Sequence, residues 1–311
     1  MVDFKHIFAA FLAFFTRLFH RRATSPYAAD DIEASPKDGT VTPDSFDEPV
    51  PVATEPKPEP KTEPKTEPEA PTNTLSAAEV FDSVGPAYED AFTGLPTQAA
   101  AVDWLVQQLK AAPATAQGGA NIVDVGCGTG RPACSVLADA GHNVLGIDIS
   151  EAMLAAARTR VPNAKFERID VRAYIEREQK KTPAASLDAV TIFFSLIAGL
   201  SQDDIRAVIA GLAGLLKPGG FLVFSTVPIP ANNKAIKWMG RPLVISSLSP
   251  EEGVAAVKAA GLEVKFDEVT RFKPRAAEAG ICSDDEAWEE AHLFVYAQKP
   301  AVATAAGTAS A

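Results

Sequence analysis

Three things are scarce in this chain of 311 residues, and each scarcity removes a class of protein. Cysteine is the first. Cys127, Cys134 and Cys282 make an odd, sparse set without a Cys-x-x-Cys pair. They fit reduced thiols in an intracellular protein better than a disulfide framework or a zinc site. Positive charge is the second. With 29 Lys and Arg against 40 Asp and Glu, the formal net charge is -11, which argues against a nucleic-acid partner because phosphates are gripped by clustered cations. Long apolar runs are the third. The uninterrupted stretch Ile7 to Phe15 falls short of the roughly 17–25 residues that span a bilayer. No His/Cys/Asp cluster has metal-ligand spacing, so no metal site is expected.

The most informative stretch that is present runs from Asn121 to Ser150. A short apolar run (Ile122, Val123, Val125) predicts a buried strand, followed by the turn Gly126-Cys127-Gly128-Thr129-Gly130. A helix then opens near Pro132, with Ala133, Val136, Leu137 and Ala140 at helical spacing. Gly141 stops it, and a second strand (Val144, Leu145, Ile147) ends at Asp148. Strand, glycine loop, helix, strand and acid make the mononucleotide-binding half of a doubly wound sheet. Glycine lets a ligand approach backbone that a Cβ would block, and the helix start offers free N–H groups. The dinucleotide fingerprint wants glycine or alanine three residues after its second glycine. Arg131 holds that place, which argues against an NAD-type domain.

The pattern Asp-x-Gly-x-Gly-x-Gly, from Asp124 to Gly130, resembles the first motif of class I S-adenosylmethionine-dependent methyltransferases. A second match is Leu216-Lys217-Pro218-Gly219-Gly220, in which Lys217 to Gly220 is expected as a turn ending a helix, before the apolar strand FLVFSTVP. Leu75 to Phe92, a polar-capped helix, then Gly85-Pro86, then a helical turn, is similar to the lead-in segment of the quinone-biosynthesis C-methyltransferases. The resemblance implies S-adenosyl-L-methionine as cofactor. It also implies a Rossmann-like, doubly wound, seven-stranded and mainly parallel α/β sheet whose last strand is antiparallel. By the same resemblance Asp148 takes the ribose hydroxyls, with Ile149 and Met153 against the adenine. Asp170 and Val171 would meet the adenine edge, and Tyr88 would approach the methionine end. Phe193, Phe194 and Ser195, after the fourth strand Leu187 to Ser195, would wall the reactive methyl. Asp124, Gly126, Gly128 and Gly130 complete the cofactor set.

Plainer roles compete for several of these residues. Met153 packs a core equally well, Asp170 caps a helix before Arg172, and Tyr88 and Phe81 pack the lead-in helix. Among general-base candidates, His142 lies in the turn after the first helix, at the wrong end of the sheet. His292 heads a predicted strand and is a weak candidate, with Glu278, Asp284 and Glu286 in a nearby loop. After Pro228 the likeness to the quinone enzymes fades. Ile229 to Leu248 reads as an insertion in which Trp238, Met239 and Arg241 either line an acceptor pocket or pack as a lid.

The flanks differ in kind. Residues 1–22 place Phe4, Ile7, Phe8, Phe11, Phe15, Leu18 and Phe19 on one helical face, with Arg17, Arg21 and Arg22 nearby. A helix lying on a membrane surface, a mitochondrial presequence and a secretory signal all compete for that pattern, as does a partner-binding helix. Residues 23–73, dense in Pro, Glu, Lys and Thr, are expected to be a disordered, semi-extended spacer, and 300–311 a disordered tail. The organisation expected is thus a front helix, a spacer, a methyltransferase domain over 74–299 and a tail. The function expected is methyl transfer to a small-molecule acceptor, by in-line displacement without metal, in an intracellular and membrane-associated or mitochondrial protein. A non-catalytic cofactor-binding adaptor and a protein methyltransferase are the alternatives.

Overall fold

β1 (Asn121–Val125) is buried at every position after the first, and the strands that flank it set the frame of the protein. The computed structural model describes residues 73–112, 118–181 and 185–301. The expectations for residues 1–22, the spacer up to residue 72 and the tail beyond residue 301 lie outside these. Among the described residues no helix is long and apolar enough to cross a membrane.

β2 (Asn143–Asp148), β3 (Lys165–Arg168), β4 (Leu187–Phe193) and β5 (Leu216–Thr226) join β1 in parallel. β8 (Glu263–Phe272) and β9 (Glu290–Gln298) complete a seven-stranded sheet of order β3-β2-β1-β4-β5-β9-β8. β9 runs antiparallel to both of its neighbours. The expected architecture is therefore present, with the last strand inserted beside the edge rather than forming it. Between β1 and β4 the strand order reverses, and in doubly wound sheets the crevice beyond the strands' carboxyl ends at that point receives the ligand.

Helices cover both faces of the sheet. α3 (Pro96–Ala111), α4 (Ala133–Asp139) and α5 (Glu151–Arg160) pack Leu105, Leu137 and Leu154 into a core with Ile122, Ala189 and Phe294. α6 (Val171–Gln179), α7 (Gln202–Leu215) and α8 (Pro250–Ala259) pack Ile175, Ile209 and Val257 against Val123, Val190 and Val295. The side chains of Ser150, Ser201 and Ser249 cap α5, α7 and α8, as their places in the sequence suggest. The core elements thus start where local chemistry starts them.

Two segments depart from the sequence reading. Lys217 to Gly220, expected as a turn, opens β5 as a bulged strand start, with Gly219 at φ +83° donating its N–H to the Lys299 carbonyl. The register slips between Leu187 and Ala189 there, which absorbs the extra residues. Ile229 to Leu248 is a hairpin of β6 (Ala231–Trp238) and β7 (Arg241–Ser247), outside the main sheet. It packs Leu243 and Ile245 against Val80 of α1 (Ala77–Val84). α1 and the short α2 (Ala87–Phe92) thereby acquire a floor of their own.

Candidate functional site

The three glycines of the loop after β1 do different work. Gly126 (φ +65°) lies against Ser195, where an added Cβ would fall 2.1 Å from the serine Cβ. Gly130 (φ +79°) backs onto Phe166 and Val161, each 3.1 Å from such a Cβ. Both are therefore packing glycines. Gly128 (φ +53°) faces open space, with nothing within 4 Å, and so alone matches the expectation of a backbone bared to a ligand. The expected supply of free N–H groups is smaller than the sequence implies. Gly126, Cys127 and Gly130 spend theirs on the Ile147 and Cys127 carbonyls, and Gly128 donates to Asp148 Oδ2 at 2.9 Å.

Asp148 ends β2 beside that open face. Its second oxygen accepts the Ser150 N–H at 2.9 Å, and burial raises its affinity for a proton. Each carboxylate oxygen keeps a second lone pair, so the group can still take two ribose hydroxyls. Asp124, on the neighbouring strand β1, is 3 % exposed and accepts from Thr191 Oγ1 at 2.6 Å and from Cys134 Sγ at 3.3 Å. Burial pushes its carboxyl up to about 6, and Asp148 pushes the same way. Among the described residues neither acid has a cationic side chain as an ion-pair partner. A buried, acidic cradle that lacks its own cation fits a ligand that carries positive charge, as a sulfonium and an ammonium would.

The remaining cofactor candidates fall around this centre. Ile149 is half-buried beside Asp148, and Arg168 Nε donates to its carbonyl at 3.1 Å. Met153 is 2 % exposed on α5, so it belongs to the interior. Asp170 caps α6, and both its oxygens are taken by the Arg172 guanidinium at 3.0 and 2.9 Å. The pairing holds its carboxyl below the usual range. Val171 sinks into the core at the same helix start. Phe193 is buried, and Ser195 donates to the Val125 carbonyl at 2.7 Å, tying the end of β4 to β1. Phe194 sits at φ +56°, a left-handed conformation that costs a non-glycine residue of order 1–3 kcal/mol and that gathers at functional sites.

α1 and α2 form a cover. Asp82 accepts from Ser150 Oγ at 2.6 Å and from the Ala152 N–H at 3.2 Å. Glu89 accepts from Thr129 Oγ1 at 2.7 Å and pairs with Arg160 at 2.5 Å and Arg131 at 3.7 Å. These two acids flank Tyr88 in sequence and fasten its helices to the glycine loop and α5. Sequence reading put the role on the tyrosine and passed over both anchors, although they lie in the same Leu75 to Phe92 segment.

Two acidic groups act on Tyr88. Burial raises the phenol strongly, and Glu290 and then Asp148 raise it further. Its ring stacks on Phe92 at 4.5 Å, and meets Phe81 at 5.8 Å and Trp238 at 6.4 Å. Phe92 continues to Phe272 at 6.1 Å, and Phe272 to His292 at 6.1 Å. His292 also packs on Phe194 at 4.5 Å, so an aromatic lining joins the cover to the end of β4. Trp238 therefore belongs to this lining, while Met239 packs with Ala276 and Ala287, and Arg241 holds Ser83 and the Met239 and Ile281 carbonyls.

The loop acids lie elsewhere. Glu286 pairs with Lys237 and Asp284 with Lys273. Glu290, missed in the sequence although it stands two residues before His292, is the acid that reaches the ring. His142 Nδ1 accepts the Ala120 N–H at 3.1 Å, away from the site as expected.

Residues 122–220 match the family profile of a methyltransferase domain. The chain is 33 % identical over 152 residues to 27-O-demethylrifamycin SV methyltransferase of Amycolatopsis mediterranei (strain S699), covering 47 % of this chain and 54 % of that protein. It is 34 % identical over 109 residues to ubiquinone biosynthesis O-methyltransferase of Acinetobacter baumannii (strain AYE), covering 35 % and 44 %. The chain thus spans about half the length of the curated relatives it matches. Among solved structures, the [4+2]-cyclase SpnF superposes with a TM-score of 0.51 at 21 % identity, over 75 % of this chain and 98 % of that one. That likeness bears on the fold alone.

Proposed function

We propose that this chain, which belongs to the class I S-adenosylmethionine-dependent methyltransferases, moves the methyl group of S-adenosyl-L-methionine to a small-molecule acceptor. The observation that carries the reading is the pair of anchors Asp82–Ser150 and Glu89–Thr129, which fasten the helices around Tyr88 to the glycine loop and to the helix start after Asp148. The aromatic lining that Tyr88 shares with Phe92 and Trp238 thereby adjoins the acidic nucleotide cradle. When bound, the cofactor supplies an electrophilic methyl on a cationic sulfur.

The chain's own residues do the rest. Asp148 and the open face of Gly128 would seat the ribose, and Asp124 would balance the ligand's positive charge. Ile149 and Asp170 would frame the base, with Met153 and Val171 packed behind them in the interior, while Phe193, Phe194 and Ser195 wall the transfer point. Asp82 and Glu89 close the cover, and closure strengthens the acidic groups' hold on a cation by excluding water. Alignment of two reactants in such a dry compartment supplies much of the rate in a displacement. The lining suits a flat, apolar molecule better than a peptide chain, which favours a small-molecule acceptor over a protein. The fold by itself hosts more than one chemistry, so the reading rests on the site and not on the sheet.

For residues 4–22 we hold to the sequence pattern: an amphipathic helix that brings the domain to a membrane surface, with mitochondrial addressing as the alternative. Cell fractionation of the full chain and of a chain lacking residues 1–22 tests this; equal distribution of the two would overturn it. The transfer itself is tested by incubating the full chain with methyl-labelled cofactor and cell extract. Label in a low-mass product supports the reading. Label confined to protein, or none above a boiled control, refutes it.

A further inference from the structure

The aromatic compartment contains an acid and an imidazole that cofactor binding leaves without a task. Glu290 and His292 hold alternate positions at the start of β9, so both side chains project from one sheet face. They are 5 % and 0 % exposed. Glu290 Oε2 lies 3.3 Å from His292 Nε2, and its Oε1 accepts the Trp238 Nε1–H at 3.2 Å. A carboxylate at this distance has only lone pairs to offer. Such a pairing places the proton on Nε2 when Glu290 is ionised, which leaves the imidazole lone pair on Nδ1.

Nδ1 is itself buried and, among the described residues, has no hydrogen-bond partner. Ser225 Oγ is likewise buried and unpartnered; Ser225 is paired in register with Phe294, on the same sheet face as His292. Buried polar atoms are nearly always bonded, so two orphans on one face at the carboxyl edge of the sheet leave hydrogen-bonding capacity for a polar ligand atom to take up. Phe194, held at φ +56°, sets its ring 4.5 Å from the imidazole.

We propose that His292 is the general base of the transfer, that Glu290 and Trp238 are positioning residues which fix its tautomer, and that the acceptor atom is a hydroxyl oxygen on a flat, apolar molecule. This deepens the methyl-transfer reading and rests on it. The acceptor oxygen forms its new bond to the methyl carbon as the carbon–sulfur bond breaks, and that electron pair stays on sulfur. The hydroxyl proton passes to Nδ1, and Glu290 stabilises the resulting imidazolium. An amine acceptor already has a free lone pair and gains little from such a base, while a carbon acid needs a stronger one. A phenol or enol is the acceptor whose proton a neutral imidazole can take, and general-base help of this kind is worth about 10²–10⁴-fold.

The test uses the full chain with S-adenosylhomocysteine and 4-nitrophenol, whose ionised form absorbs in the visible. Below the phenol's own ionisation, binding should generate the phenolate band, and His292→Gln should abolish it while calorimetry shows homocysteine-derivative binding retained. Long-range nitrogen–proton correlation spectra should show His292 protonated at Nε2 alone, with Glu290→Gln scrambling the tautomers. A wild-type His292 protonated at Nδ1 would overturn the proposal. So would a phenolate band that survives in His292→Gln, or no band in the wild type despite bound S-adenosylhomocysteine. Failure of the wild type to bind S-adenosylhomocysteine would strike the methyltransferase reading beneath it.

Discussion

Glu89 accepts a hydrogen bond from Thr129 at 2.7 Å, so the helix that carries Tyr88 is fastened directly to the glycine loop. The same carboxylate meets Arg160 and Arg131, and its side chain is 21 % exposed. The cover is thus tied to the glycine loop by a charged cluster at its rim, in addition to the apolar floor beneath its helices.

Glu89→Gln should loosen this cover with little effect on the core. A partly exposed charge-assisted bond is worth about 1 kcal/mol, which predicts S-adenosylmethionine affinity about three- to tenfold weaker. The melting temperature should move by no more than about 2–4 °C, the shift that about 1 kcal/mol produces in a domain of this size. Calorimetry and thermal unfolding separate the two effects.

The glycines should separate as well. Gly126→Ala drives a Cβ to 2.1 Å from that of Ser195 in a left-handed conformation. Overpacking and strain together cost about 3 kcal/mol or more, so the variant should melt roughly 6–12 °C lower or fail to fold. Gly128→Ala meets nothing within 4 Å and carries only the conformational cost of φ +53°, about 1 kcal/mol. Its methyl should instead occupy the ligand's side and weaken cofactor binding at least about tenfold. Equal behaviour of the two variants would remove the distinction drawn between packing and ligand-facing glycines.

Asp124 makes both stability and affinity depend on pH, with opposite signs. Its carboxyl lies at about 6, above the unfolded value near 3.9. The native state therefore binds an extra proton between these limits. The stability this gives is complete below about pH 4 and is lost as pH rises through 6, a change on the order of 3 kcal/mol. A cationic ligand prefers the ionised form, so S-adenosylmethionine affinity should rise as pH rises through 6, by about tenfold between about pH 5 and about pH 7.5. Asp148 shifts in the same direction and adds to the trend. Asp124→Asn should flatten the pH profiles of both affinity and melting; an unchanged profile would show that this carboxylate neither titrates there nor faces the ligand's charge.

The readable parts of this site are local ones. Asp124, the three glycines and Asp148 lie within one strand–loop–helix–strand unit, where spacing fixes geometry before tertiary contacts act. The sheet was readable for a similar reason, since its central strands are near-continuous apolar runs such as Leu187 to Phe193. Glu290 stands two residues before His292 on one strand face, a local signal that the strand period offers and that was passed over, whereas the bond from Trp238 to Glu290 arises only through the hairpin, a contact no local pattern encodes. The separate duties of Gly126 and Gly128 were hidden too, because the difference lies in what Ser195 does from another strand. The turn expected at Lys217 to Gly220 missed the strand partners that Leu187 and Lys299 supply.

The central claim is that the cradle around Asp148 binds S-adenosylmethionine. Calorimetric titration of the full chain, wild type beside Asp148→Ala, tests it most directly. The wild type should show one site per chain and the variant an affinity at least about a hundredfold lower, as loss of two charge-assisted hydroxyl bonds implies. A folded wild type that takes up no S-adenosylmethionine, or an Asp148→Ala protein that binds it equally well, would contradict the account.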